Sequence, residues 1–170
     1  AYAEYVDAPD WASAVPLLAR HPNLVVTRTF SKAFALAGLR VGYALAHPGL
    51  LAVMERVRES FNVNAPALAA AEAALDDTAH LQAAVAANRA QREALAAALR
   101  ARGLAVAPSQ TNFLLAEFGD ATARIEAGLR ARGVILRPMG GYGLGDCLRI
   151  TVGTAGDNAR LLAALDEVMA

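Results

Sequence analysis

The sequence predicts an α/β protein in which a parallel or mixed α/β layer is followed by a smaller α+β lobe. Two strand-like runs lie close together in the first part of the chain: 23–30, which is rich in β-branched residues, and 39–46. Segments with helical spacing of apolar residues follow from residue 48. From about Ala79, helices and strands alternate, so we place a domain boundary there and divide the chain into 1–78 and 79–170.

The first region is predicted to contain two strands and two helices. The strands are NLVVTRTF (23–30) and LRVGYALA (39–46), and SKAFALAG between them is a loop or a short helical turn closed by Gly38. A helix over 48–60 begins with proline, which suits the first helical position. A second helix covers 65–77.

The second region begins with a long alanine-rich helix over about 78–102, which Gly103 ends as residue C′. The segments LAVAP and NFLLAEF read as strands, 121–133 reads as a helix, and VILRP and CLRITVG read as two more strands. Thr154 or Asp157 is expected to cap the last helix, whose leucines recur at helical spacing.

Composition excludes several classes of function. The 170 residues are 56% hydrophobic and 19% charged, which is typical of a globular chain. Net charge is zero, with no basic stripe for nucleic acid or anionic lipid, and no apolar run reaches the roughly 18 residues that span a membrane. The single Cys147 excludes an internal disulfide and reads as a packed thiol in a reducing compartment. We therefore expect a cytoplasmic location.

The two ends of the chain differ in character. The first residues, AYAEY, lack an initiator methionine and read as the end of a strand, whereas the last helix ends like that of a whole protein. We therefore expect that the N-terminal part of a longer protein is missing.

Lys32 is the only lysine among sixteen Lys and Arg residues. Arginine cannot replace lysine where a neutral amine must attack a carbonyl, because the guanidinium stays protonated. Lysine can lose its proton and form a Schiff base. A chain that otherwise uses only arginine is therefore expected to keep Lys32 for its amine, although a surface lysine kept by chance is the simpler alternative.

The neighbours of Lys32 suit a phosphate. Ser31 precedes it, Thr29 lies three positions before it and Arg40 lies eight positions after it. Hydroxyls, loop N–H groups and one arginine are what a bound phosphate needs. An amine for a carbonyl beside a phosphate site indicates pyridoxal 5′-phosphate, although each neighbour alone could be an ordinary turn or surface residue.

The stretch RTFSKAFALAGLRVGYA resembles the pyridoxal-lysine signature of fold-type I, class II aminotransferases, most closely the histidinol-phosphate aminotransferases. The resemblance extends over the chain, through AYAEY, FNVNAPALAAAEAAL, PSQTNFLL and ILRPMGGYGLGDCLRITVGT. It implies that 1–78 is the last part of the large cofactor-binding domain and 79–170 the small C-terminal domain. The chain would then be the C-terminal half of such an enzyme.

The resemblance also implies roles for individual residues. Lys32 would hold the cofactor as a Schiff base and shuttle the substrate proton, while Ser31, Thr29 and Arg40 would bind the cofactor phosphate. Tyr2 matches the tyrosine that contacts the 3′ oxygen of the cofactor.

On the substrate side, Arg149 matches the arginine that binds a carboxylate, and Arg137 matches the one associated with the substrate phosphate. Asn64 and Asn112 are weaker candidates than the arginines for lining the site. The glycine-rich segment PMGGYGLGD would be the loop that carries the arginines, and no metal is implied.

The implied activity is amino transfer between L-histidinol phosphate and 2-oxoglutarate, in histidine biosynthesis, by a cytoplasmic homodimer that binds neither nucleic acid nor membrane. The aspartate that pairs with the cofactor ring would precede residue 1, so this chain alone is expected to be inactive. An aromatic amino-acid aminotransferase, a decarboxylase of phosphate-containing amino acids, and a non-enzymatic binding or regulatory domain of the same fold remain alternatives.

Overall fold

The structure is a computed structural model that describes all residues, 1–170. It divides into two compact units, 1–85 and 86–170. The predicted domain boundary falls where a long helix, α3 (Thr78–Ala101), begins, whereas the division between the units lies inside that helix. The division of the chain into a large and a small domain stays a prediction.

The first unit contains one pair of strands, β1 (Val25–Thr29) and β2 (Gly42–Ala46), which pair antiparallel. Both strands form within the two runs where the sequence predicted them. A parallel pair would need a crossover connection, usually a helix, but residues 30–41 contain only a single 3₁₀ turn. A parallel or mixed layer was expected here, and the one pair of strands in this unit is antiparallel.

The loop between these strands closes differently from the prediction. The 3₁₀ turn covers Ala37–Leu39, so Gly38 lies inside it instead of ending it. Arg40 follows in the left-handed region, with φ 57° and ψ 50°. Ala35 also has a positive φ, 59°. Left-handed backbone is unfavourable for residues with a Cβ, so this loop is strained at two non-glycine positions.

Two helices follow in the first unit. Helix α1 (Pro48–Glu55) begins at the predicted proline but ends before Ser60, and it buries none of its side chains. Helix α2 (Ala65–Asp76) begins after Asn64, whose side-chain oxygen accepts a hydrogen bond from the Ala67 N–H at 2.9 Å. The small core of this unit lies between the lysine loop and α2, and its buried members are Phe30, Val41, Ala67 and Ala71.

The second unit is an antiparallel sheet with helices on one face. Its strands are β3 (Ala105–Val106), β4 (Phe113–Glu117), β5 (Arg137–Met139) and β6 (Leu144–Thr151), in the order β3-β4-β6-β5. Helices α4 (Thr122–Ala131) and α5 (Ala155–Met169) complete the predicted order of helices and strands. Thr154 caps α5 in a capping box with Asp157, so each of the two predicted candidates contributes to the cap.

Alternation along the strands gives this sheet two different faces. Residues at every second position of β4 and β6 are buried in the core against the helices, namely Leu114, Ala116, Leu148 and Ile150. Phe113, Leu115, Cys147 and Arg149 lie on the opposite face, which we call the open face of the sheet. The predicted glycine-rich loop is only partly a loop, because residues 140–142 form a 3₁₀ turn and β6 begins at Leu144. No helix in the structure is long and apolar enough to cross a membrane.

Candidate functional site

Lys32 lies half-buried in the loop that follows β1. Its ammonium nitrogen Nζ is 5.7 Å from the centroid of the Tyr2 ring. Tyr2 is held there because the short turn after it is tied to β1 by an ion pair between Glu4 and Arg28. The structure therefore brings together the predicted lysine and tyrosine, which are thirty positions apart in sequence.

Thr29, Ser31 and Arg40 form a single hydrogen-bonded cluster. The Thr29 hydroxyl donates to Ser31 Oγ at 3.0 Å, and the Ser31 backbone N–H donates to Thr29 Oγ1 at 3.1 Å. Arg40 Nη1 donates to Ser31 Oγ at 3.5 Å and to the Ala37 carbonyl at 2.6 Å. None of these bonds uses the Ser31 hydroxyl proton, and no carboxylate pairs with Arg40, so the cluster has donors left for an anion.

The strained backbone lies in the same loop. Ala35 and Arg40 adopt left-handed conformations on either side of the turn that follows Lys32. Such conformations persist where the surrounding structure over-determines them, and they concentrate at binding and catalytic sites. The left-handed backbone places the Arg40 side chain beside Ser31, which is where the phosphate prediction requires it.

Asn64 is occupied by local contacts. Its Oδ1 caps α2, and its Nδ2 donates to the Leu39 carbonyl at 3.5 Å. These two bonds join α2 to the lysine loop, and they account for Asn64 without a ligand. Its role in substrate binding stays a prediction.

In the second unit, Arg137 on β5 and Arg149 on β6 are directly opposite each other in the strand register. Side chains at directly paired positions point to the same face of a sheet, so both arginines belong to the open face. Neither takes part in an ion pair with a carboxylate. Like charges opposite one another are unfavourable unless an anion lies between or beside them.

Each arginine of this pair lies over an aromatic ring. The guanidinium carbon of Arg149 is 4.9 Å from the Phe113 ring centroid, and that of Arg137 is 5.6 Å from the Tyr142 ring centroid. Arg137 Nη2 also donates to the Tyr142 hydroxyl at 3.0 Å. Arg149 Nε is buried and has no hydrogen-bond partner. A buried donor without an acceptor costs about 1–3 kcal/mol, and an oxyanion on this face would remove that cost.

The sequence interpretation missed both aromatic residues. Phe113 follows the considered Asn112, and the alternation of β4 could have placed it on the same face as Leu115 and Arg149. Tyr142 is the only aromatic residue in the glycine-rich segment, which is an unusual position, but nothing in the sequence indicated that it contacts Arg137.

Cys147 also lies on the open face, but its thiol is buried. Burial raises the pKa of Cys147, and the hydrogen bond that its Sγ donates to Asp146 Oδ1 at 3.4 Å raises it further. The thiol therefore stays protonated near neutral pH and is a poor nucleophile. No group of three or more acidic, histidine or cysteine side chains in the structure is arranged to hold a metal ion.

Comparison with known proteins shows that the chain carrying the lysine loop and the arginine pair matches one family. The model of the family "Aminotransferase class I and II" matches residues 1–166. Histidinol-phosphate aminotransferase 1 of Thiobacillus denitrificans is 51% identical over 170 residues, covering 100% of this chain and 44% of that protein. The histidinol-phosphate aminotransferase of Anaeromyxobacter sp. is 48% identical over 171 residues, covering 99% and 47%.

A solved structure agrees with these sequence matches. The histidinol-phosphate aminotransferase of Sinorhizobium meliloti, in complex with pyridoxal-5′-phosphate, superimposes with a TM-score of 0.91 and 34% identity, covering 99% of this chain and 47% of that one. The chain thus spans about half the length of the relatives it matches.

Proposed function

The chain belongs to the aminotransferase class I and II family, and from this premise we propose that the protein containing it transfers an amino group between L-histidinol phosphate and 2-oxoglutarate. The names of its relatives and the match over nearly the whole chain support this choice. The observation that carries the proposal is the position of Lys32, the only lysine, in a loop that also holds a phosphate-type cluster.

The residues of the lysine loop fit pyridoxal 5′-phosphate. That cofactor supplies, when bound, a carbonyl carbon to which amines attach and a ring that accepts electrons. Lys32 would attach to it through its amine, and the Thr29, Ser31 and Arg40 cluster would bind its phosphate. A guanidinium neutralises a phosphate charge without a proton transfer, which suits Arg40 to this role.

Lys32 has a second role in this proposal. Once its amine is free it can take up and return the proton of the reacting substrate carbon, which is general acid–base catalysis. Tyr2 lies beside the ammonium group, and we propose that its hydroxyl holds the 3′ oxygen of the cofactor.

We propose that the open face of the second unit binds the substrate anions. Arg149 would take a carboxylate through its planar fork, and Arg137 would add the charge that a phosphate group requires. Their direct pairing across β5 and β6 favours a phosphate-bearing donor over a simple aromatic amino acid, which would need only Arg149.

The experiment uses the full-length protein, borohydride reduction and peptide mass mapping. Reduction should fix the cofactor on Lys32, and Lys32→Arg should abolish both the adduct and turnover, because a guanidinium cannot make this bond. The control Lys32→Arg/Arg20→Lys keeps one lysine in the chain but places it at an exposed position, and it should gain no cofactor. A cofactor adduct on any residue other than Lys32 would overturn the proposal.

A further inference from the structure

Tyr142 lies where the β5–β6 hairpin turns back on itself. Strand register breaks between Pro138 and Met139, and the 3₁₀ turn at 140–142 fills the gap. Gly143, with φ 76°, then allows the chain to enter β6. This short excursion places the Tyr142 hydroxyl 3.0 Å from Arg137 Nη2, although both residues are at the surface.

The Tyr142 ring contributes little to any core, because 65% of the residue is exposed. Its hydroxyl and its ring instead both contact the Arg137 guanidinium. An exposed arginine opposite another arginine would otherwise move away into solvent, since its side chain is long and the two charges repel. Tyr142 restricts that movement and keeps the two guanidinium groups on one face.

We propose that Tyr142 is a positioning residue that holds Arg137 opposite Arg149 and thereby gives this anion site its preference for a phosphate group over a carboxylate. The inference rests on the proposed function of the two arginines. A single guanidinium satisfies a carboxylate through two parallel hydrogen bonds. A phosphate monoester carries nearly two negative charges and three acceptor oxygens, so it gains from a second guanidinium held in place.

The Tyr142 hydroxyl accepts the hydrogen bond from Arg137 and thereby fixes the direction of that guanidinium. Replacing Tyr142 should therefore weaken phosphate binding while leaving carboxylate binding at Arg149 nearly unchanged.

The test is a residue-resolved titration of the full-length protein. The arginine side-chain N–H signals of Arg137 and Arg149 are followed by NMR while inorganic phosphate or, separately, acetate is added at constant ionic strength. Following these two signals separates the open face from the Arg40 cluster. Tyr142→Phe should raise the phosphate dissociation constant about 2- to 10-fold, the effect of one lost hydrogen bond. Tyr142→Leu should raise it about 2- to 5-fold more, because the ring is lost as well.

Two comparisons make the result specific. Tyr43→Phe removes a hydroxyl from another exposed tyrosine, in the first unit, and should change neither dissociation constant. In an Arg137→Ala background, Tyr142→Phe should have no additional effect, because Tyr142 acts through that arginine.

The outcomes separate the inference from its premise. A phosphate response that Tyr142→Phe leaves unchanged, an equal loss for phosphate and acetate, or a Tyr142 effect that persists without Arg137 would each overturn the inference alone. If neither arginine signal responds to phosphate in the unmodified full-length protein, the proposed anion site is wrong and the inference falls with it.

Discussion

Replacing Arg40 with glycine should stabilise the fold relative to replacing it with alanine, although both changes remove the same side chain. Arg40 has φ 57° and ψ 50°. Both variants lose the hydrogen bonds to Ser31 and Ala37, so those losses cancel in the comparison. Only the backbone term remains, because glycine has no Cβ to clash in the left-handed region.

The size of this difference follows from two opposing terms. A residue with a Cβ costs about 1–2 kcal/mol in the left-handed conformation. Glycine gives back about 0.4–1 kcal/mol because it is more flexible in the unfolded chain. The remainder is about 1 kcal/mol in favour of Arg40→Gly over Arg40→Ala, which corresponds to roughly 2–4 °C in Tm for a chain of this size.

Cofactor affinity should respond differently from stability. Both variants lose the guanidinium, and a hydrogen bond to a charged group contributes about 1.5–3 kcal/mol. The dissociation constant for pyridoxal phosphate should therefore rise about 10- to 150-fold in each variant of the full-length protein. We therefore expect that the strained backbone of Arg40 lowers the free energy of unfolding, while its guanidinium raises the affinity for the cofactor.

Urea unfolding, followed through the fluorescence of Trp11, measures the stability of the first unit, which contains the only tryptophan. Arg20 provides the control, because its φ of −110° is ordinary backbone. There the order should reverse, with the glycine variant less stable than the alanine variant. If Arg40→Gly is no more stable than Arg40→Ala, or if either keeps its cofactor affinity, the reasoning about this loop is refuted.

Two further predictions concern the second unit. Arg149→Ala should impair both half-reactions of the full-length enzyme, whereas Arg137→Ala should slow the histidinol-phosphate half-reaction more than the glutamate one. Single-turnover rates with each amino donor measure this. If Arg137→Ala slows both half-reactions equally, or if phenylalanine turns over faster than histidinol phosphate, the aromatic aminotransferase alternative is favoured. Gly128→Ala should destabilise the unit by about 1 kcal/mol, because the added Cβ would lie 2.8 Å from Val168 Cγ1 and overpacking outweighs the gain in helix propensity. In a Val168→Ala background, Gly128→Ala should instead raise the free energy of unfolding measured in urea. If it lowers that free energy by the same amount there, the clash with Val168 is not the cause of the destabilisation.

The predicted phosphate cluster came from residues that are close in sequence, and local structure was enough to bring them together. Thr29, Ser31 and Arg40 belong to one loop and the strand end before it, so short hydrogen bonds unite them. The left-handed backbone of Arg40 was not predictable, because arginine has no preference for that region and Gly38 was the natural candidate.

In the second unit, the register between strands is the main feature that could not be predicted from the sequence. The sequence predicted a strand for each of Arg137 and Arg149, but not the register between those two strands. Their direct pairing depends on where the hairpin breaks register, between Pro138 and Met139, and a shift of one residue would have moved one arginine to the core face. The helix over 48–60 was predicted too long: it ends at Glu55, and Val57, the one apolar residue in 56–60, is 81% exposed and gives a longer helix nothing to bury.

Helix α1 has a consequence for how the chain withstands proteases. A helix of eight residues with no buried side chain opens at little cost in free energy, so its amides should exchange with solvent quickly while those of α5 stay protected. Arg56 and Arg58 follow α1 directly and are exposed. Trypsin should therefore cut the chain there through local opening, at a rate that does not depend on the global stability of either unit.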